Sequence, residues 1–382
     1  MRVLLISHTC QSRVEGQPKA FEIGRIGSVD LCVLVPDRWK HYGDWREADV
    51  PENPPFKFEL SPVWWPWTGP GQFYLHWYPG LAKLIKDWRP DIIDLWEEPW
   101  GLVSAQACQL RNKHLPTCKI LSETEQNIDK TLPPPFESIR SFTLRNTDFA
   151  IGRSTEAVDV LRNKGYRGPA EVVPNAVDNV LFRPMDREQC RRELGLNHFT
   201  VGYVGRLVEE KGLADMVDAL ESLDDQVELL FVGSGPMEQA LEARAAEIGR
   251  SDSVRIMQSR PLEALPSIMN AIDVLALPSR TTPSWKEQYG RVIIEAHACG
   301  TPVIGSSSGA IPDVVGEGGL VVPERDPAAL AVAINALRQD PARRQAMGCA
   351  GKARVEAECT WTRVAERMAA IYESMMSSGR GQ

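Results

Sequence analysis

No long hydrophobic run occurs anywhere in the 382 residues. The N-terminus, MRVLLISHTC, is apolar for only a few residues before His8 interrupts it, too short for a secretory signal and suited instead to a first strand. Nothing approaches the roughly 20 apolar residues of a membrane-crossing helix, so the expectation is a cytoplasmic protein. The eight cysteines (Cys10, Cys32, Cys108, Cys118, Cys190, Cys299, Cys349 and Cys359) form no C-x-x-C pair, and the six histidines show no H-E-x-x-H spacing. Reduced thiols and no structural zinc are therefore expected. A basic stripe is also missing: residues 1–175 carry 21 basic and 22 acidic side chains, the rest 22 and 29, and the chain totals -8. That balance excludes a nucleic-acid binder. No G-x-G-x-x-G follows the first strand, which weighs against a dinucleotide cofactor. No D-x-D occurs, so a divalent metal chelated by such a carboxylate pair is not expected.

What is present is an alternation of short apolar runs with longer amphipathic patterns. RVLLIS (2–7), LCVLVP (31–36), PDIIDLW (90–96), KILSE (119–123), FAIG (149–152) and AEVVP (170–174) form one set. TVGYVGR (200–206), VELLFVG (227–233), VRIM (254–257), VLALPS (274–279), PVIGS (302–306) and GLVVP (319–323) form a second. Runs apolar throughout argue for parallel strands covered on both faces. Two sets in tandem predict an α/β chain of two doubly wound, Rossmann-like domains facing across a cleft. The expected divisions are 1–175, 176–360 and a C-terminal helix within 361–382, with Val364, Met368, Ile371 and Met375 on its apolar face.

Three features of the second half bear on phosphate and ribose binding. The first strand runs into Gly205 and then Arg206, with Lys211 and Gly212 after an acidic turn. A glycine at a strand's carboxyl edge admits a phosphate to the backbone, and the two cations can neutralise a diphosphate. Pairing with Glu209 and Glu210 is the plainer alternative for those cations. Gly233 and Gly235 open a second turn that tight geometry alone explains. Glu287 and Glu295 bracket an apolar, glycine-spaced segment, KEQYGRVIIEAHACGTPVIG, with Glu287 in a loop and Glu295 in a helix. A carboxylate among Val292, Ile293, Ile294, Ala296 and Ala298 needs donors, and vicinal ribose hydroxyls would supply two.

GRLVEEKG, the turn VGSGP, and above all E-x7-E enclosing GRVIIEA and followed by ACGTPVI resemble the retaining GT-B glycosyltransferases of family 4. PNAVD (174–178) is similar to that family's interdomain P-N-G-V-D, with Ala176 where glycine is usual. The resemblance is strong over about 174–330 and covers the first half mainly in pattern. It implies a nucleoside-diphosphate sugar as co-substrate, no cofactor, and transfer to an acceptor hydroxyl with retained configuration and no side-chain nucleophile. It further implies that Gly205, Arg206 and Lys211 hold the diphosphate and Glu295 the ribose. Glu287, with Tyr289, Gly290 and Arg291, would face sugar and phosphates, and 258–263, with Arg260, would border the base.

The first half departs from that pattern. A glycine pair after the first strand is reduced to Gly16, with Lys19 following at a helix start. Gln126 stands where many members carry a histidine, and glutamine cannot carry a proton near neutral pH. Glu98, beside Glu97, Trp96 and Trp100, is an acceptor-side candidate, with Gly16, Lys19 and Gln126 as others. Lys130 and Arg140 read first as solvated surface cations, with contacts to a phosphorylated or lipid-linked acceptor as the alternative. The Trp-rich 61–80 reads either as an aromatic mini-core or as a surface for a carbohydrate or lipid-linked acceptor, with peripheral contact at the inner membrane face. A GT-B sugar phosphorylase, a nucleotide-sugar epimerase and a non-catalytic nucleotide-binding paralogue remain the alternatives.

Overall fold

A computed structural model describes residues 1–41, 44–65 and 72–377. The chain divides into two compact units, one of Met1–Pro174 joined by the chain from Trp361 onward, the other of Asn175–Thr360.

The first unit contains β1 (Arg2–Ile6), β2 (Asp30–Pro36), β3 (Arg38–His41), β4 (Asp44–Glu47), β5 (Lys57–Ser61), β6 (Ile92–Leu95), β7 (Lys119–Thr124), β8 (Phe149–Gly152) and β9 (Ala170–Val172). Seven of these form a parallel sheet in the order β5-β2-β1-β6-β7-β8-β9. β1 lies inside the sheet, and Val3, Leu4, Leu5 and Ile6 are fully buried because helices cover both faces. Strand order reverses at the β1/β6 seam, where Ile6 pairs with Leu95, so the loops after these two strands emerge side by side. The other two strands, β3 and β4, form a separate antiparallel hairpin. Sequence pattern missed β5 and this hairpin. KFELS alternates charge with apolar residues at a sheet edge, and RWKH and DWRE carry no apolar run.

The helix Trp361–Ser377 completes this unit against Gln17–Gly24, burying Val364, Met368, Ile371 and Met375. Its Tyr372 hydroxyl donates to Asp94 Oδ2 at 2.6 Å. Asp94 is fully buried on β6, and that burial, reinforced by Glu123, pushes its carboxyl well above the usual range. The Trp-rich stretch is partly core and partly surface. Tyr78 is fully buried and Trp64 bridges to Trp77, whereas Trp64, Trp65 and Phe73 are exposed. Trp67 lies outside the described residues.

The second unit contains β10 (Phe199–Val204), β11 (Val227–Val232), β12 (Val254–Met257), β13 (Val274–Leu277), β14 (Val303–Ser306) and β15 (Gly319–Val322). All six are parallel in the order β12-β11-β10-β13-β14-β15. Its switch point lies at the β10/β13 seam, the position where doubly wound sheets receive ligands.

Candidate functional site

Two glycine turns shape the carboxyl edge of the second unit. Gly205 has φ 150° and Gly233 φ 157°. A side chain on Gly233 would strike the Gly205 carbonyl, and one on Gly235 the Leu207 carbonyl, so the β10 and β11 loops lie backbone to backbone. Leu207 N–H donates to Ser234 O at 3.0 Å, and Met237 N–H to Leu207 O at 3.1 Å. This close packing holds the β10 loop and projects Arg206 outward, 59% exposed, with Glu210 3.4 Å away.

Lys211 does not pair with its acidic neighbours. Its Nζ lies 2.6 Å from Glu287 Oε2 and 4.8 Å from the centre of the Trp285 ring. Ser279 Oγ, just past β13, donates to the same carboxylate oxygen at 2.9 Å. Glu287 is buried, and its own carbonyl accepts Ala310 N–H at 3.1 Å. Sequence reasoning missed Trp285 and Ser279; both lie within eight residues of Glu287, but neither belongs to the E-x7-E pattern.

Gly290, at φ 82°, turns the chain into the helix Arg291–Ala298. The Tyr289 ring faces inward, its hydroxyl 3.4 Å from Asn175 O, which leaves its backbone at the turn. Arg291 is exposed at the helix start, and Arg260 is exposed in the loop after β12, where Gln258 and Ser259 contact Ser234. Glu295 is partly buried in the second turn of the helix. Among the described residues nothing donates a hydrogen bond to its carboxylate, and burial raises its pKa against the opposing pull of Arg291. A partly buried, unsatisfied carboxylate is unfavourable in the empty protein and becomes favourable when a ligand brings donors.

The carboxyl edge of the first unit is built on the opposite plan. Gly16 precedes the helix Gln17–Gly24 and packs so tightly on the Thr9–Cys10 peptide that no side chain fits. Lys19 is fully buried, its ammonium on Glu123 and 4.2 Å from the Trp96 ring centre. Arg153 binds the other Glu123 oxygen, so one carboxylate on β7 serves two buried cations. Burial works to raise the Glu123 pKa, but Arg153 and Lys19 overcome it and hold it low. Gln126 is buried with its side-chain oxygen accepting Ile128 N–H at 3.0 Å. Glu98 accepts the Thr124 hydroxyl at 2.5 Å and Glu125 N–H at 2.9 Å, and burial pushes its carboxyl up to about 7. Arg140 is buried on Glu137 and the Lys130 carbonyl, contrary to the expectation of a solvated cation; the loop rich in proline folds over it.

One constellation here was not foreseen. His8 Nδ1 lies 2.7 Å from Glu97 Oε2, the His8 backbone N–H donates to Glu97 Oε1 at 2.6 Å, and His76 Nε2 stands 3.7 Å from Oε1. Burial alone would raise the Glu97 pKa, but the two imidazoles hold it at about 2. Burial likewise works to lower the His8 pKa, and Glu97 more than offsets this, so the imidazole is raised.

Proteins of known description resemble this chain in sequence and fold. A family model described as glycosyl transferases group 1 matches residues 185–354. The D-inositol 3-phosphate glycosyltransferase of Corynebacterium jeikeium is 32% identical over 310 residues, 76% of this chain and 70% of that one. A D-inositol 3-phosphate glycosyltransferase 1 of Catenulispora acidiphila is 32% identical over 66% of this chain, but the match spans only 64% of that relative's length. Among solved structures, the sucrose-phosphate synthase of Thermosynechococcus elongatus superposes with a TM-score of 0.74 at 23% identity, over 99% of this chain and 100% of that one. HepE of Anabaena, in complex with UDP, gives 0.73 at 19% over 98% and 100%, and at such identities the likeness is one of fold. Two doubly wound units of GT-B type, with the family model lying on the second, give the assignment: the chain belongs to the glycosyl transferases group 1 family.

Proposed function

We propose that the protein is a retaining, metal-independent glycosyltransferase that moves a sugar from a nucleoside diphosphate to an acceptor hydroxyl. The observation that carries this reading is Glu295, a partly buried carboxylate that no described residue satisfies, on the helix that begins at Gly290. Vicinal ribose hydroxyls complete it. Arg206 and Lys211 then meet the diphosphate beside Gly205. Glu287, fixed by Lys211 and Ser279, presents the sugar side together with the Gly290 turn. Arg291 adds charge at that turn, and Arg260 borders the base.

Charge develops on the diphosphate as the bond to the anomeric carbon breaks, so fixed cations favour the transition state over the bound donor. In this reading two side-chain cations stabilise that charge without a metal ion, and the acceptor attacks from the face the diphosphate leaves. A carbohydrate or lipid-linked acceptor fits the exposed Trp64, Trp65 and Phe73, whose rings suit either a sugar face or a membrane surface. Inositol phosphates, named for the relatives above, are the first acceptors to try.

The test is thermal unfolding with UDP, GDP, ADP, CDP and NAD in turn, on wild type and Glu295→Ala. A ligand at about 100 times its Kd adds roughly 2.7 kcal/mol to the folded state. One nucleoside diphosphate should stabilise wild type and leave the variant unmoved. Stabilisation by NAD alone, or by nothing, defeats the reading.

A further inference from the structure

The loop after β13 is anchored more firmly than a connection to the next helix needs, and all of its anchors lie within the second unit. Arg280 donates through Nε and Nη2 to the two oxygens of Asp215, at 2.9 and 2.5 Å, and its backbone N–H donates to Glu210 O at 2.8 Å. Asp215 is buried in the helix Leu213–Ala219, just past Lys211 and Gly212, so this bidentate pair ties the β13 loop to the β10 loop. Thr281 is held next, its N–H and its hydroxyl both on Glu324, at 2.5 and 2.7 Å. Thr282 then closes a turn: its N–H donates to Trp285 O at 2.7 Å, and its Oγ1 accepts Trp285 N–H at 3.0 Å. Arg280, Thr281 and Thr282 thus act in succession to fix one indole.

That indole lies against Lys211, whose Nζ is 4.8 Å from the ring centre, inside the range of a cation–π contact. An ammonium has three N–H donors, and among the described residues only Glu287 Oε2 accepts from this one, at 2.6 Å. Ser279 Oγ donates to the same oxygen, so Glu287 stays hydrogen-bonded when the ammonium turns toward a ligand. The lysine side chain is 17% exposed, so a ligand can reach its remaining donors. An ammonium on a flexible four-carbon stem is a point charge with no direction of its own. Between a carboxylate and an aromatic face it acquires one. A ring placed only to fill space would need neither the Thr282 turn nor a neighbouring ammonium with open donors.

We infer that Trp285 is a positioning residue: it holds the Lys211 ammonium for the distal phosphate of a nucleoside diphosphate, and so sets the preference for a diphosphate over a monophosphate. The inference rests on the glycosyltransferase reading, which puts Glu295 at the ribose and Glu287 at the sugar. Lys211, bound to Glu287, then lies at the phosphate that bears the sugar. A monophosphate ends one phosphate earlier and gains less from this cation. Trp285 acts on the donor only through Lys211.

Calorimetric titration of the full chain with UDP, GDP, ADP and CDP, each beside its monophosphate, reads the preference as a ratio of dissociation constants. In Trp285→Leu the ratio for the diphosphate that binds wild type should fall about 5–30-fold, the span of a partly desolvated cation–π contact, with monophosphate affinity kept within about twofold. Trp285→Phe should keep most of the ratio, because phenylalanine restores an aromatic face. In a Lys211→Met background the Trp285→Leu change should have no further effect. A ratio that falls less than about threefold, equal losses for mono- and diphosphate, or an undiminished effect without Lys211 overturns the inference and leaves the donor site standing. If no diphosphate binds wild type, the glycosyltransferase reading fails and takes this role with it. NMR of lysines labelled with carbon-13 at Cε tests the contact without ligand and without a change at Trp285. The methylene proton signal that vanishes in Lys211→Met should lie upfield of the solvated lysines, shifted by the ring current of the indole. A Lys211 signal among those of the solvated lysines removes the contact on which the role depends and overturns the inference.

Discussion

The two units share a strand plan and differ in how they treat charge at their carboxyl edges. In the second, the groups suited to a ligand are left incomplete: Arg206 is largely in solvent and Glu295 lacks donors among the described residues. In the first, the charges largely satisfy one another, with Lys19 and Arg153 on Glu123, Glu97 between two imidazoles and Glu98 on Thr124. A site for a highly charged ligand benefits from unspent charge. The first edge, by contrast, holds internally balanced charge.

The sharpest way to break this comparison is to delete one carboxylate from each edge. Glu123→Ala strands two buried cations, and the loss should be about 3–5 kcal/mol of unfolding free energy. Glu295→Ala removes a carboxylate that the empty protein does not satisfy, so its stability without ligand should stay within about 1 kcal/mol of wild type or rise. Urea unfolding of both variants measures the contrast. Equal losses would mean that Glu295 has partners in solution as firm as those of Glu123.

Arg206→Ala sharpens the comparison from the activity side. Loss of one charge-stabilising donor lowers turnover by about 10²–10³-fold. Because the side chain is mostly exposed, stability should change by no more than about 0.5 kcal/mol. A variant that turns over like wild type removes Arg206 from the diphosphate site; one that unfolds readily assigns it a structural role instead.

The same contrast explains what the sequence disclosed. Buried parallel strands announce themselves as continuous apolar runs, which made β1, β2, β6, β7 and β8 and the strands of the second sheet legible, while the charged β5 and the β3–β4 hairpin escaped. In the second unit the candidate groups fall in short stretches, Gly205 to Lys211 in one loop and Glu287 to Glu295 in one loop and one helix, which the family resemblance joined; Lys211 reaches Glu287 because β10 pairs with β13. In the first unit residues 8 and 97, and 19, 123 and 153, meet only through the order β2-β1-β6-β7-β8. A histidine directly after the first strand and a glutamate two residues past another strand were both visible. Their adjacency required knowing that those strands pair.

Glu97 and Glu98 carry the comparison down to neighbouring residues, and their pH behaviour gives the smallest expected effect. Glu97 is held at about 2 in the fold, so its contribution to stability is present above the usual glutamate range and lost as pH falls toward 2. Glu98 is raised to about 7 from the usual glutamate value of 4.5, so the folded state binds its proton more tightly than the unfolded state across that interval. Its contribution is full below 4.5 and disappears as pH climbs through 7, the reverse of its neighbour. Glu98→Gln cannot titrate, and subtracting its stability from that of wild type cancels the slopes due to Glu97 and His8. The difference should favour wild type more at pH 5 than at pH 8, measured by urea unfolding at both. A difference that does not change with pH would place the Glu98 carboxyl in water, and with it the loop at Thr124 and Glu125 that the carboxyl now holds.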